Sequence, residues 1–162
     1  ELIESFSRWV DDEMVAALEA RDVAAMKVRE RVALAVRTRL EILTPYREAV
    51  RRLNSHFTLP GNALQGAKLV GETVNAIWYA AGDTSTDFAY YTKRGLLAAV
   101  YCATVLYWLA DESDEFLETW TFLDRRLDDV MNIPKVRARL RNTLPRLPNP
   151  LRIARLMRHR VL

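Results

Sequence analysis

Two histidines and one cysteine are all that this 162-residue sequence offers a transition metal or a nucleophile–base pair. His56 and His159 fit neither H-E-x-x-H nor the E-x-x-H spacing of di-iron bundles, and Cys102 has no second cysteine with which to form a disulfide. G-x-S-x-G and the glycine-rich phosphate loop are also missing. The carboxylate pairs Asp111-Glu112 and Asp128-Asp129 fall at helix ends or on wet faces, where capping and solvation account for them. The sequence therefore predicts no catalytic residue, no metal site and no cofactor. Cys102 sits in an apolar stretch and is expected to be a buried, inert thiol.

Glycine is scarce, five residues in all, and strand-like alternation is missing, so the reading is helical throughout. No uncharged run approaches the roughly 20 residues that a bilayer requires; the longest, Gly95 to Ala110, has 16 and is expected to be a buried helix. Acidic residues are missing altogether after Asp129, where nine lysines and arginines follow. The preceding chain holds 15 basic and 21 acidic residues, a balance of −6, against +3 for the whole. A basic tail on an acidic body points to an anionic surface, with a merely solvated tail as the alternative.

What is present is amphipathic periodicity. Leu2, Ile3, Phe6, Val10, Met14, Ala17 and Leu18 recur at spacings of three and four and predict a first helix ending near Ala20, with Asp11, Asp12 and Glu13 on its wet face. Asp22 is a plausible N-cap for a second helix, with Val28, Val32, Val36, Leu40 and Leu43 inward and Arg29, Arg31, Arg37 and Arg39 interleaved. Thr44-Pro45 ends it and starts a short third helix, because proline is tolerated at the first helical position. Leu59-Pro60-Gly61 marks the next break. A fourth helix runs from Asn62 to Ala81, and Gly82 is suited to end it in a left-handed conformation. Asp83 to Asp87 form a polar corner, an apolar helix follows to Ala110, and Asp111 to Glu115 cap one further amphipathic helix. The expected organisation is a helical body over 1–142 and a basic tail over 143–162.

In that tail, Pro145, Pro148 and Pro150 break the chain. The segment beyond them collects Ile153, Ala154, Met157 and Val161 on one side of a helical wheel and Arg152, Arg155 and His159 on another. With Arg158 beside them, Arg152, Ile153, Arg155, Met157 and Val161 form the predicted membrane contact, a short interfacial helix in which each basic residue contributes about 1 kcal/mol near an anionic surface.

Three motifs carry a resemblance: R-T-R-L-E-I-L-T-P-Y at Arg37 to Tyr46, W-Y-A-A-G-D-T-S-T-D-F-A-Y-Y-T-K-R-G-L-L-A-A-V-Y at Trp78 to Tyr101, and E-T-W-T-F-L-D-R-R-L-D-D-V-M-N at Glu118 to Asn132. In order and spacing the chain resembles the lipid-binding accessory proteins of coenzyme Q (ubiquinone) biosynthesis, an all-α family with a TetR-like fold. The likeness runs from near Glu1 to about Leu140. Ahead of its first apolar helix the sequence shows no helix-turn-helix.

The resemblance implies a non-enzymatic protein that binds isoprenoid lipid or phospholipid, presents quinone intermediates to a di-iron demethoxyubiquinone hydroxylase, and binds no nucleic acid. It implies a peripheral membrane protein, on the cytoplasmic face of a bacterial inner membrane or the matrix side of the mitochondrial one. From pattern alone Val36, Leu40, Leu64, Val70, Val74, Trp78, Leu97, Val100, Tyr101 and Thr104 read first as ordinary core. The resemblance reverses that preference and makes them the expected lipid-binding residues. It likewise assigns Ile77, Asp83, Asp87, Tyr90 and Tyr91 to the hydroxylase-docking surface, with tyrosine at 90 where a tryptophan is familiar. TetR-like folds pair through their last two long helices, so a homodimer is expected with contacts from Tyr107, Trp108, Trp120, Leu123 and Leu127. The alternative function is the ligand-binding domain of a TetR-type transcription regulator.

Overall fold

Periodicity of three and four converts into helices almost wherever it occurs. The computed structural model describes the backbone of residues 1–82 and 88–143 and the side chains of residues 1–82 and 91–130. It contains α1 (Leu2–Glu19), α2 (Val28–Leu43), α3 (Arg47–Phe57), α4 (Ala63–Ala80), α5 (Phe88–Ala110) and α6 (Leu117–Thr143), with single 3-10 turns at Thr44–Tyr46 and Asp114–Phe116. No strand occurs among the described residues. Residues Glu1–Leu127 form one compact unit, and a second unit begins at Asp128, within α6.

The core of the first unit is built from α1, α2, α4 and α5. Val10, Met14 and Leu18 of α1 meet Val32, Val36 and Leu40 of α2 and Val74 and Ile77 of α4, all buried. Deletion of one such side chain costs about 2–5 kcal/mol, because the cavity left behind relaxes only in part. Gly66 of α4 is buried for steric reasons. A Cβ there would lie 2.9 Å from both Cβ and Cγ of Phe57, so glycine lets the end of α3 close onto α4.

The helix ends follow the expected chemistry with one shift. Asp22 does not cap α2. The chain turns through residues 21–27 and the helix begins at Val28, where the Glu30 carboxylate accepts the Lys27 backbone N–H at 3.0 Å. Pro45 occupies the start of the 3-10 turn. Gly82 ends α4 at φ 73°, in the left-handed region, and its N–H donates to the Tyr79 carbonyl at 2.9 Å.

Arginines close the C-terminus of α5. Arg47 Nη2 donates to the carbonyls of Trp108 and Asp111, and Arg51 Nη2 to that of Leu109. These are the orphan acceptors at the negative end of the helix dipole, where a cation is favourable. The Arg47 guanidinium also lies 5.6 Å from the Trp108 ring and 5.0 Å from that of Phe116. The α5–α6 corner turns on Asp111, whose Oδ1 accepts the Ser113 N–H at 2.8 Å and whose Oδ2 accepts the Thr119 N–H at 2.9 Å. The Ser113 and Thr119 hydroxyls donate to the same carboxylate. Glu115 and Phe116 then pass through φ 51° and 57°, and the Glu115 carbonyl accepts the Trp120 indole N–H at 2.8 Å. Arg29 ties α2 to α6, donating to both the side chain and the carbonyl of Asp124.

Several sequence expectations are corrected here. Asp11 is not on a wet face: it is 7% exposed, and Arg39, interleaved on α2, is buried with it at 4%. Cys102 is exposed rather than buried. Trp108, Trp120, Leu123 and Leu127, expected across a dimer contact, are buried within a single chain. Their side chains fill the space between the helices of one protomer, whereas Leu106 remains 54% exposed.

A buried polar cluster at the end of an apolar cavity

Four helices contribute to one hydrogen-bonded cluster. Arg39 of α2 donates from Nε to Asp11 Oδ1 at 2.7 Å, from Nη1 to the Tyr101 hydroxyl at 2.6 Å, and from Nη2 to Thr73 Oγ1 at 3.0 Å and Ser7 Oγ at 3.2 Å. The Thr73 hydroxyl in turn donates to Asp11 Oδ2 at 3.2 Å. A charge as deeply buried as Arg39 is tolerated only when paired and surrounded by acceptors. Asp11 and the three hydroxyl groups supply both. The Arg39 guanidinium also lies 5.4 Å from the centre of the Tyr101 ring.

Titration in this cluster is set by burial. Burial raises the Asp11 carboxyl above the ordinary aspartate range, outweighing the Arg39 charge that pulls it down. Burial would lower Arg39, but its partners in the cluster more than offset it and hold the guanidinium protonated. Burial also raises the Tyr101 phenol, so its hydroxyl keeps its proton.

The cluster forms the polar end of a cavity of about 180 Å³. Ser7, Arg39, Thr73 and Tyr101 line that end, and the remaining walls are mostly apolar. Phe6 and Val10 come from α1, Leu43 from α2, Leu53 and Phe57 from α3, Leu69 and Val70 from α4, and Val105 from α5. Exposed Cys102 and Leu106 mark where the cavity reaches the surface. Near Phe6 the rings of Trp9 and Tyr46, each 42% exposed, meet it in an aromatic cluster, with Phe6 and Tyr46 edge to face at 5.2 Å.

Of the ten residues expected to hold lipid, Val70 and Tyr101 line this cavity. Val36, Leu40, Val74, Trp78, Leu97, Val100 and Thr104 are buried in the packed core. Leu64 is 83% exposed, because the first turn of α4 lies beyond the core. Of the docking residues, Tyr91 is 75% exposed on α5, whereas Ile77 is fully buried and lies behind the surface rather than on it. Asp83, Asp87 and the Tyr90 side chain lie outside the described residues, as do Arg152, Ile153, Arg155, Met157, Arg158 and Val161 of the tail. Tyr79, 69% exposed one turn before the corner, is a surface aromatic that sequence reasoning misses.

Sequence reasoning also misses the cluster, although its signal is present. Asp11 precedes Met14 by three and Leu18 by seven; Arg39 follows Val36 by three and precedes Leu43 by four; Thr73 stands four from both Leu69 and Ile77. Each polar residue occupies core register on its own helix. Three such substitutions with complementary chemistry predict a buried network, whereas each read singly looks like part of a wet face.

Against known proteins, the COQ9 family model matches residues 63–134. The human "Ubiquinone biosynthesis protein COQ9, mitochondrial" is 41% identical over 104 residues, covering 64% of this chain and 33% of that protein. The Dictyostelium discoideum "Probable ubiquinone biosynthesis protein coq9, mitochondrial" is 38% identical over 85 residues, 52% of this chain and 28% of that protein. The chain thus spans about a third of the length of the curated relatives it matches. A solved TetR transcriptional regulator from Nitrosomonas europaea ATCC 19718 aligns with a TM-score of 0.67 at 22% identity, over 81% of this chain and 72% of that one. At that identity the likeness establishes the fold, which is all-α and TetR-like.

Proposed function

With residues 63–134 matching the COQ9 family, we propose that this chain is a non-enzymatic, lipid-holding component of ubiquinone biosynthesis. The observation that carries the proposal is the mostly apolar cavity with the Arg39 cluster and Asn54 as its polar groups, a chemistry suited to an isoprenoid lipid or a quinone intermediate. In this reading the cavity takes part of the lipid and the mouth at Cys102 and Leu106 leaves the rest outside. Val105→Trp fills the cavity from its wall and leaves every hydrogen-bonding residue of the cluster unsubstituted. Organic extraction of the purified protein is expected to recover isoprenoid or phospholipid from the native chain and at least tenfold less from the variant. Equal recovery from both would remove the cavity from the reading.

The docking surface for a di-iron hydroxylase is proposed on the same side as Tyr91, with Tyr79 as a further exposed aromatic. Large exposed aromatics that have no role in the core are common anchors at interfaces. Tyr91→Lys is expected to weaken capture of the hydroxylase at least tenfold while leaving the helical content unchanged. Undiminished capture in a pull-down would remove this part.

The basic tail is the proposed membrane contact, reversible because it is short, on a mitochondrial or bacterial inner membrane. Failure to float with anionic vesicles at low salt would exclude it. A homodimer through α5 and α6 completes the reading, with Tyr107 among its contacts. Sedimentation as a monomer at micromolar concentration would exclude it. The regulator alternative has the fold alone in its support.

A further inference from the structure

The helices that wall the cavity are not equally anchored. α1, α2, α4 and α5 each carry side chains buried in the core, whereas α3 carries none. Val50, Leu53 and Phe57 of α3 line the cavity and are half-buried, while Arg51, Arg52 and His56 are exposed. α3 is thus a cover, with the cavity on one side and water on the other. It is joined to its neighbours by the 3-10 turn that holds Pro45 and the turn that holds Pro60, and neither proline has an N–H with which to carry helical bonding across.

The fastening of this cover is polar and confined to one end. Among the described residues, three hydrogen bonds join α3 to elements that do not adjoin it in sequence, and two arginines make all of them. Arg47 donates to the carbonyls of Trp108 and Asp111, and Arg51 to that of Leu109. The ion pairs of Glu48 with Arg51 and Arg52 lie within α3 and move with it. At the far end Phe57 rests on Gly66, with no room for a Cβ between them.

Size requires a wall to move. An apolar cavity of about 150 Å³ holds one benzene ring and this one is about 180 Å³, so a lipid larger than a single ring enters only if a helix gives way. α3 can give way without drawing any side chain of its own out of the core; the other four cannot. The arginines fasten α3 to the end of α5, and the mouth at Cys102 and Leu106 lies on the same helix. Releasing them widens that mouth.

We infer that α3 is a latched door to the cavity, with Arg47 and Arg51 as the latch and the two proline turns as hinges. This rests on the lipid-holding reading and adds a route of entry to it. A door alters rates rather than affinity. Raising the open fraction speeds entry and exit by the same factor, whereas a residue of a fixed wall changes the exit rate and with it the affinity. Arg51 separates the two roles, because it is exposed and does not line the cavity.

The test follows Nile red, a neutral apolar dye larger than one ring, entering and leaving the full chain stripped of lipid by stopped-flow fluorescence. The signal lost in Val105→Trp belongs to the cavity. Arg51→Met is expected to speed entry and exit alike, each about fivefold, the worth of one part-buried hydrogen bond, and to leave the affinity unchanged. Gly66→Ala, which presses a Cβ onto Phe57, should do the same from the other end of α3 and supplies a second variant if Arg51→Met disturbs the end of α5. Hydrogen exchange of the chain without dye is expected to show α3 amides exchanging roughly tenfold faster than those of α4, with Arg51→Met speeding α3 alone. Dye rates that ignore both variants, or α3 amides that exchange as slowly as those of α4, would overturn the door and leave the lipid-holding reading standing. A loss of affinity through faster exit alone would make α3 a fixed wall and overturn it likewise. A native chain that takes up no dye, or takes up as much as Val105→Trp, would overturn the lipid-holding reading itself, and this inference with it.

Discussion

Arg39→Met is expected to lower the free energy of unfolding by about 3–5 kcal/mol at pH 7, the usual loss when one partner of a buried ion pair is removed. The cause lies less in the hydrogen bonds that Arg39 makes than in the carboxylate left behind. Asp11 would remain buried with a hydrogen bond from Thr73 as its remaining support. Adding Asp11→Leu should recover most of the loss, since an apolar pair of similar volume avoids the desolvation of both charges. The pH dependence has a definite sign. Asp11 is already raised by burial, and without Arg39 it rises further. A carboxyl whose folded value is raised favours the native state at low pH and loses that contribution as pH increases through it. The Arg39→Met deficit should therefore shrink as pH falls from 7 toward 4. Urea unfolding of the two variants at both pH values checks this; a single-variant loss below about 1 kcal/mol would show that water reaches the cluster and solvates Asp11.

The second large effect is at Asp111, where Asp111→Ala should cost about 2–4 kcal/mol by leaving two backbone N–H groups and two hydroxyls at the α5–α6 corner without their acceptor. Here the titration runs the other way. Burial alone would raise this carboxyl, but the hydrogen bonds from Ser113 and Thr119 outweigh it and lower it from 3.8 to about 2. A depressed folded value contributes stability that is complete above about pH 4 and lost as pH falls to about 2, a linkage of about 2 kcal/mol. The gap between the native chain and Asp111→Ala should thus narrow by about that amount between pH 5 and pH 2. An identical gap at both would place the effect in packing rather than in the ionised carboxylate.

These two aspartates show what sequence reading reaches. Asp111 is legible: an acidic residue at the end of an apolar helix, followed two positions on by serine, reads as a cap. The helices are legible for the same reason, since Val32, Val36, Leu40 and Leu43, or Val70, Val74 and Ile77, repeat every three or four residues. Pro45 and Gly82 take the places that their backbones require. Asp11 and Arg39 are not legible one helix at a time, because a charge in core register and a charge at the edge of a wet face look alike until the partner across the core is known. Trp108, Trp120, Leu123 and Leu127 are misplaced by sequence for a related reason. Periodicity says that a face is buried but is silent on whether the cover comes from the same chain or a second one. The cavity follows neither rule, since it needs α1, α2, α3, α4 and α5 at once, and α1 and α3 supply none of the residues expected to line it.

The Arg39 cluster also sets a timescale. Its bonds join residues 28, 32, 34 and 62 positions apart, so each closes a long loop whose entropy is lost before the bond is made. Until α1, α2, α4 and α5 have all arrived, the guanidinium and the carboxylate are better hydrated than paired. A cluster that closes this late is expected to govern the lifetime of the folded chain: weakening it should speed unfolding and leave the rate of refolding nearly as it was, which stopped-flow unfolding and refolding of Arg39→Met checks.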